Sequence, residues 1–195
     1  MYKCLKQSDK CEMSKPMSIE NTACFFGHRK ISVTDDLKSR LYNEIENLIT
    51  TDGINTFLFG SKSQFDDLCY KVITDLKSKY PNIQRVYVRA ENEYIDGEGS
   101  RAYREGLMEF YEHTYYPESV SGAGKAVYVK RNQHMIDESS VCVCFYDENY
   151  LPARRKQSRR DLFDYQPASG TGIAYQYAVK KKKKIINIFS KNQKI

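Results

Sequence analysis

The sequence predicts an α/β domain, a mostly parallel sheet with helices on both faces. Three observations carry this: short apolar runs, stripes of helical period between them, and glycine or polar turn signals at the junctions. Thr22-Ala23-Cys24-Phe25-Phe26 is apolar and stops at Gly27, as a buried strand running into a turn does. Thr34-Asp35-Asp36 then precedes Leu37, Leu41, Ile45, Leu48 and Ile49, spaced by three and four. Thr34 suits an N-cap, and the acidic pair suits the first turn of a helix that Asp52-Gly53 closes. Ile54 to Phe59 is a second strand, ended by Gly60-Ser61. Phe65, Leu68, Cys69, Val72, Ile73 and Leu76 form a second stripe, terminated by Tyr80-Pro81. Ile83 to Val88 is a third strand.

A polar, tyrosine-rich segment follows, about 90–125, punctuated by Gly97, Gly99, Gly122 and Gly124 and helical in part between Arg101 and Tyr111. It reads as an insertion. Lys125 to Asp137 is a further helix, Ser140 to Tyr146 a fourth strand, Ile173 to Lys181 a helix and Lys184 to Phe189 a last strand. Strands alternating with helices need right-handed crossovers, which gives a Rossmann-like three-layer domain over 21–195 behind a loose leader, 1–20.

A chain of 195 residues supports one good core and is too short for two ordinary domains. With 41% hydrophobic and 29% charged residues, 5 Pro and 10 Gly, collagen-like and largely disordered classes are excluded. No apolar run nears the ~20 residues of a membrane span. Lys and Asp stand where a signal peptide would be apolar, so a cytoplasmic protein is expected. The net charge of +6 is a mild basic bias that fits an anionic small ligand. The 6 Cys have no zinc spacing and read as reduced, structural thiols, so neither a metal nor a cofactor is called for.

In open parallel sheets ligands bind beyond the C-terminal strand ends, where the strand order reverses. Gly27-His28-Arg29 follows the first strand, Gly60-Ser61 with Phe65-Asp66 the second, and Ser169-Gly170-Thr171-Gly172 the fourth, after a basic run. Glycine lets backbone approach a ligand, and the unpaired N–H groups of a helix's first turn suit phosphate. There is neither a G-x-G-x-x-G after the first strand nor a Walker P-loop, so ordinary dinucleotide binding and phosphoryl transfer lack support.

The stretch Ala23-Cys24-Phe25-Phe26-Gly27-His28-Arg29 resembles the "CFTGHR" opening of the YpsA-like branch of the SLOG superfamily. Phe59-Gly60-Ser61 with Phe65-Asp66 resembles its glycine-rich turn and Phe-Asp, and Lys130 to Asp137 its "RNRYMVD". Ser169-Gly170-Thr171 stands where that branch has "GGT", and Ala178-Val179-Lys180-Lys181 before Ile185-Ile186 resembles "YAKKKGKPII". The resemblance spans Thr22 to Phe189. It implies a Rossmann-like domain binding nucleotides or nucleotide-derived, ADP-ribose-like ligands, as a sensor in bacterial stress or defence signalling. Its LOG branch resembles nucleoside 5'-monophosphate N-glycosidases marked by P-G-G-x-G-T-x-x-E; here the position of that Glu is Ala174. A glycosidase needs a carboxylate, so the enzyme reading is the weaker one unless Asp66, Glu98 or Glu118 supplies the group.

Arg29 and Arg131 offer bidentate forks for phosphate, with pairing to a structural carboxylate such as Asp137 as the alternative for either. Asn132 accompanies Arg131, His28 is assigned to binding and not to catalysis, and Asp66 is a candidate ribose acceptor. The run Arg154 to Arg160 and the kinship with DprA raise a third alternative, single-stranded DNA, although the run lacks interleaved aromatics. Lys180 to Lys184 is explained by a helix end. Tyrosines 94, 103, 111, 115, 116 and 128 suit a base-stacking lid or a protein interface, and a homo-oligomer is expected.

Overall fold

The computed structural model describes residues 18–90, 103, 105–152 and 169–190. Six strands form one all-parallel sheet: β1 (Thr22–Gly27), β2 (Thr56–Phe59), β3 (Gln84–Val88), β4 (His113–Tyr115), β5 (Val141–Phe145) and β6 (Lys184–Asn187), in the order β4-β3-β2-β1-β5-β6. The helices are α1 (Asp35–Thr50), α2 (Gln64–Lys79), α3 (Val127–Asp137) and α4 (Gly170–Lys180). None of the described helices is long and apolar enough to cross a membrane.

Alternation along each strand sends its side chains to two cores. Ala23 and Phe25 of β1, Phe57 and Phe59 of β2, and Val143 and Phe145 of β5 pack under the α1 residues Leu37, Leu41 and Ile45 and the α2 residues Phe65, Cys69 and Ile73. Cys24, Phe26, Leu58, Cys142 and Cys144 face the other way, against Met135 and Ile136 of α3 and Ala174 and Ala178 of α4. Three layers result, as the sequence predicts. Cys24 and Cys142 are direct neighbours across β1 and β5, their sulfurs 3.6 Å apart, and both are fully buried.

The helix starts follow local chemistry. Thr34 caps α1 by accepting from the Leu37 N–H at 3.1 Å, as its sequence position predicts. Ser63 caps α2 and Ser169 caps α4 in the same way. The α4 helix begins at Gly170, three residues before the expected Ile173, because the Ser169 hydroxyl accepts from Gly172 N–H at 2.9 Å and draws the Gly-Thr-Gly turn into the helix.

The tyrosine-rich segment differs most from expectation. His113–Tyr115 is not inserted outside the sheet but forms its edge strand, pairing with Val86, Tyr87 and Val88. Glu112 fixes the register, its carboxylate taking Arg85 N–H at 2.6 Å and the Arg85 guanidinium at 2.6 Å. Of the Arg101-to-Tyr111 helix, residues 105–108 are helical. The leader up to residue 17, Tyr94, Gly97, Glu98, Gly99 and the basic run Arg154 to Arg160 lie outside the described residues.

Leu41, with no exposed surface in the α1 face of the core, tests the layer arrangement. Leu41→Ala should lower the unfolding free energy by about 2–5 kcal/mol, whereas the exposed-end change Thr34→Ala should cost about 1 kcal/mol. Urea titration monitored by circular dichroism reads both.

Candidate functional site

Strand order reverses at β1: the chain builds outward to β4 on one side, then returns to place β5 and β6 on the other. Loops leaving β1 and β5 therefore part, and a cleft opens beyond their C-terminal ends. It has a volume of about 500 Å³. Its walls are Phe26 to Arg29 after β1, Gly60 to Ser63 after β2, Tyr128, Arg131 and Asn132 of α3, Tyr150 and Pro152 after β5, and Ser169 to Thr171 at the start of α4.

Two glycines let helices close on this edge. A Cβ on Gly27 would stand 2.5 Å from Cδ1 of the buried Phe65, so α2 seats against β1 only where that strand ends without a side chain. A Cβ on Gly60 would stand 2.7 Å from both Arg131 Nε and Met135 Sδ. Arg131 thus lies across the end of β2, 3% exposed, with its guanidinium 5.3 Å from the Tyr128 ring centre and 3.4 Å from Asn132 Oδ1. Asp137 does not serve Arg131; it is held by Lys181 at 2.9 Å and by the Tyr177 hydroxyl at 2.8 Å.

His28 is 1% exposed. Its Nε2 accepts from the Asp147 N–H at 3.0 Å, so the neutral ring carries its proton on Nδ1. That Nδ1 has no hydrogen-bond partner among the described residues. The Tyr150 ring lies 4.1 Å from the imidazole, and burial holds the His28 pKa below its ordinary 6.5.

Behind the wall sits Asp66, on the first turn of α2 and 3% exposed. The Ser63 hydroxyl donates to Asp66 Oδ2 at 2.5 Å while accepting from Asp66 N–H at 3.1 Å. Burial pushes this carboxyl up to about 6, against the pull of the Ser63 hydroxyl, the Arg131 charge and Ser61 nearby. Its Oδ1 has no partner within hydrogen-bond distance among the described residues.

Of the residues singled out in the sequence, Gly27, His28, Arg29, Gly60, Ser61, Arg131, Asn132, Ser169, Gly170 and Thr171 meet on this one cleft. Phe65, Asp66 and Gly172 do not line it: Phe65 fills the core, Asp66 lies under the α2 cap, and Gly172 packs 3.1 Å (as an added Cβ) from Ser169 Oγ. Ala174 is 2% exposed and points into the core below α4. Glu118, in a 3-10 turn, is exposed and away from the lining. Sequence reasoning missed Tyr150 and Lys62, whose only signal was their position just after a predicted strand. The lysine run is structural, with Lys183 donating to the Asp137 and Ser139 carbonyls and Lys184 pairing with Asp52.

A family model described as the YspA SLOG family matches residues 22–175, which takes in every wall of the cleft. No curated protein matches the chain.

The glycine contacts separate crowding from tolerance. Gly27→Ala should cost about 1–3 kcal/mol of stability through its collision with Phe65, and Gly170→Ala, with open space around it, should stay within about 0.5 kcal/mol. Chemical denaturation of the two variants reads the difference. An NMR titration of His28 should show a midpoint below 6.5. Because the folded ring resists protonation, His28 contributes stability that is full above that pH and is lost as pH falls through the lowered midpoint.

Proposed function

We propose, of a chain that belongs to the YpsA-type SLOG family and is thereby a nucleotide-related Rossmann-like protein, that its cleft holds a phosphate-bearing nucleotide derivative of the ADP-ribose kind and that the protein acts as a sensor of it. One observation carries the reading. The described lining holds three cations, Arg29, Lys62 and Arg131, and no carboxylate. Such a wall attracts an anion and gives acid–base chemistry on a sugar little to work with.

The parts divide by chemistry. The N–H groups of Gly170 and Thr171 open α4 and have no turn of helix before them, so with the guanidinium of Arg131 they suit phosphate oxygens. Tyr150 on one wall and the 45% exposed Tyr128 on the other offer ring faces to a base. Ser61 and Thr171 of the same lining carry hydroxyls suited to ribose. A cleft of about 500 Å³ falls in the range of sites for ligands of this size.

Calorimetry with ADP-ribose and a panel of mono-, di- and cyclic nucleotides tests this. A ligand at 100 times its Kd should also raise apparent stability by ~2.7 kcal/mol, visible as a thermal shift. Arg131→Gln, which removes a charged hydrogen-bond donor from phosphate, should weaken binding by about 10- to 100-fold. Silence from every nucleotide at millimolar concentration would rule the reading out.

A further inference from the structure

We propose that Asp66 takes up a proton when the anionic ligand enters the cleft, and that through Arg131 this buried carboxyl sets the pH range of binding. The inference rests on the cleft being a nucleotide site, and it concerns a residue that does not line it.

One cation serves both the cleft and a buried carboxyl behind its wall. Arg131 borders the cleft on one side and, by its charge, steadies the Asp66 carboxylate on the other. Asp66 is 3% exposed, so water screens it little: Ser63 donates to Oδ2, Ser61 lends weaker support from the end of β2, and Oδ1 has no well-formed hydrogen bond among the described residues. A phosphate drawing on the same guanidinium weakens that support and adds negative charge nearby. Both effects favour the neutral acid. The proton comes from solvent, and the neutral acid no longer draws on the Arg131 charge, more of which then acts on the ligand. Asp66 is thus a positioning residue acting through Arg131.

The other titratable groups facing Asp66 are fixed between pH 6 and 8. Tyr111, from the segment before β4, and Cys69, on α2 itself, are both pushed up by burial and remain neutral. Arg131 acts on it from α3 by its charge. Asp67, next on α2, points to solvent. Burial pushes the Asp66 carboxyl up to about 6, so a further rise of about one unit brings it to neutral pH. Among the described lining residues His28 is the competing titration, its midpoint held below 6.5 by burial, and a His28 variant separates the two.

Calorimetry with ADP-ribose at pH 6 and pH 8 tests the coupling, since its pyrophosphate diester keeps a constant charge across that range. A one-unit rise in the bound state gives about fivefold tighter binding at pH 6. Proton uptake should appear as a heat that changes between buffers of different ionisation enthalpy. Asp66→Asn, which keeps the size and an acceptor for Ser63, should bind alike at both pH values. His28→Gln should keep the pH dependence whatever its effect on affinity. Should the Asn variant not fold, carboxyl-carbon NMR of the unmodified protein reads the same event, as an Asp signal with a midpoint near 6 that moves up on adding ADP-ribose. Equal affinity at the two pH values, a dependence that survives in Asp66→Asn, or an unmoved carboxyl midpoint overturns the coupling alone. No binding of ADP-ribose at either pH removes the nucleotide reading, and the coupling falls with it.

Discussion

The site is organised by one demand: keeping a guanidinium charged where almost no water reaches it. A buried cation is tolerated only with compensating partners, since stripping its hydration costs several kcal/mol. Among the described residues Arg131 has the charge of Asp66, the face of Tyr128 and the oxygen of Asn132. Each partner constrains the chain elsewhere. Gly60 must be bare for the side chain to pass, and Ser63 both starts α2 and holds the carboxylate that answers the charge. A change at any of these positions is a change in how Arg131 presents itself to the cleft.

The sheet makes that arrangement possible. With β1 in the middle and paired in parallel on both sides, α1 and α2 cover one face while α3 and α4 cover the other. In chain order α3 leads from β4 on one flank of the sheet to β5 on the other, and it lends Tyr128, Arg131 and Asn132 to the site. Its residues therefore reach a cleft whose remaining walls come from loops far apart in the sequence. Capping hydroxyls at Ser63 and Ser169 set where two of those walls begin.

Much of this was legible in the residues. Apolar runs located β1, β2 and β5, the first two ended by glycine, and the three-and-four spacing located α1 and α2, because these elements are buried along a full face and their period is unbroken. The glycine junctions also named most of the cleft. What stayed hidden were features fixed by tertiary contacts. The three-residue β4 has no period to read, and it exists because Glu112 is clamped by Arg85 and the backbone of β3 is there to pair with. Phe65 and Asp66 belong to the same motif as the lining glycines yet stand behind the wall, since sequence order cannot tell a residue that lines a cavity from one behind it. Tyr150 belongs to no motif and joins the site only through its ring packing on His28.

The sulfur atoms of the core have a use that their packing did not require. Cys24, Cys69, Cys142 and Cys144 are all buried, and burial pushes the Cys24, Cys69 and Cys144 thiols well above the range in which they are reactive. They are shielded from oxidants and alkylating reagents for as long as both layers of helices stay in place. Their rate of labelling therefore measures how often the domain opens as a whole, a built-in clock of its cooperative fluctuations that needs no engineered probe.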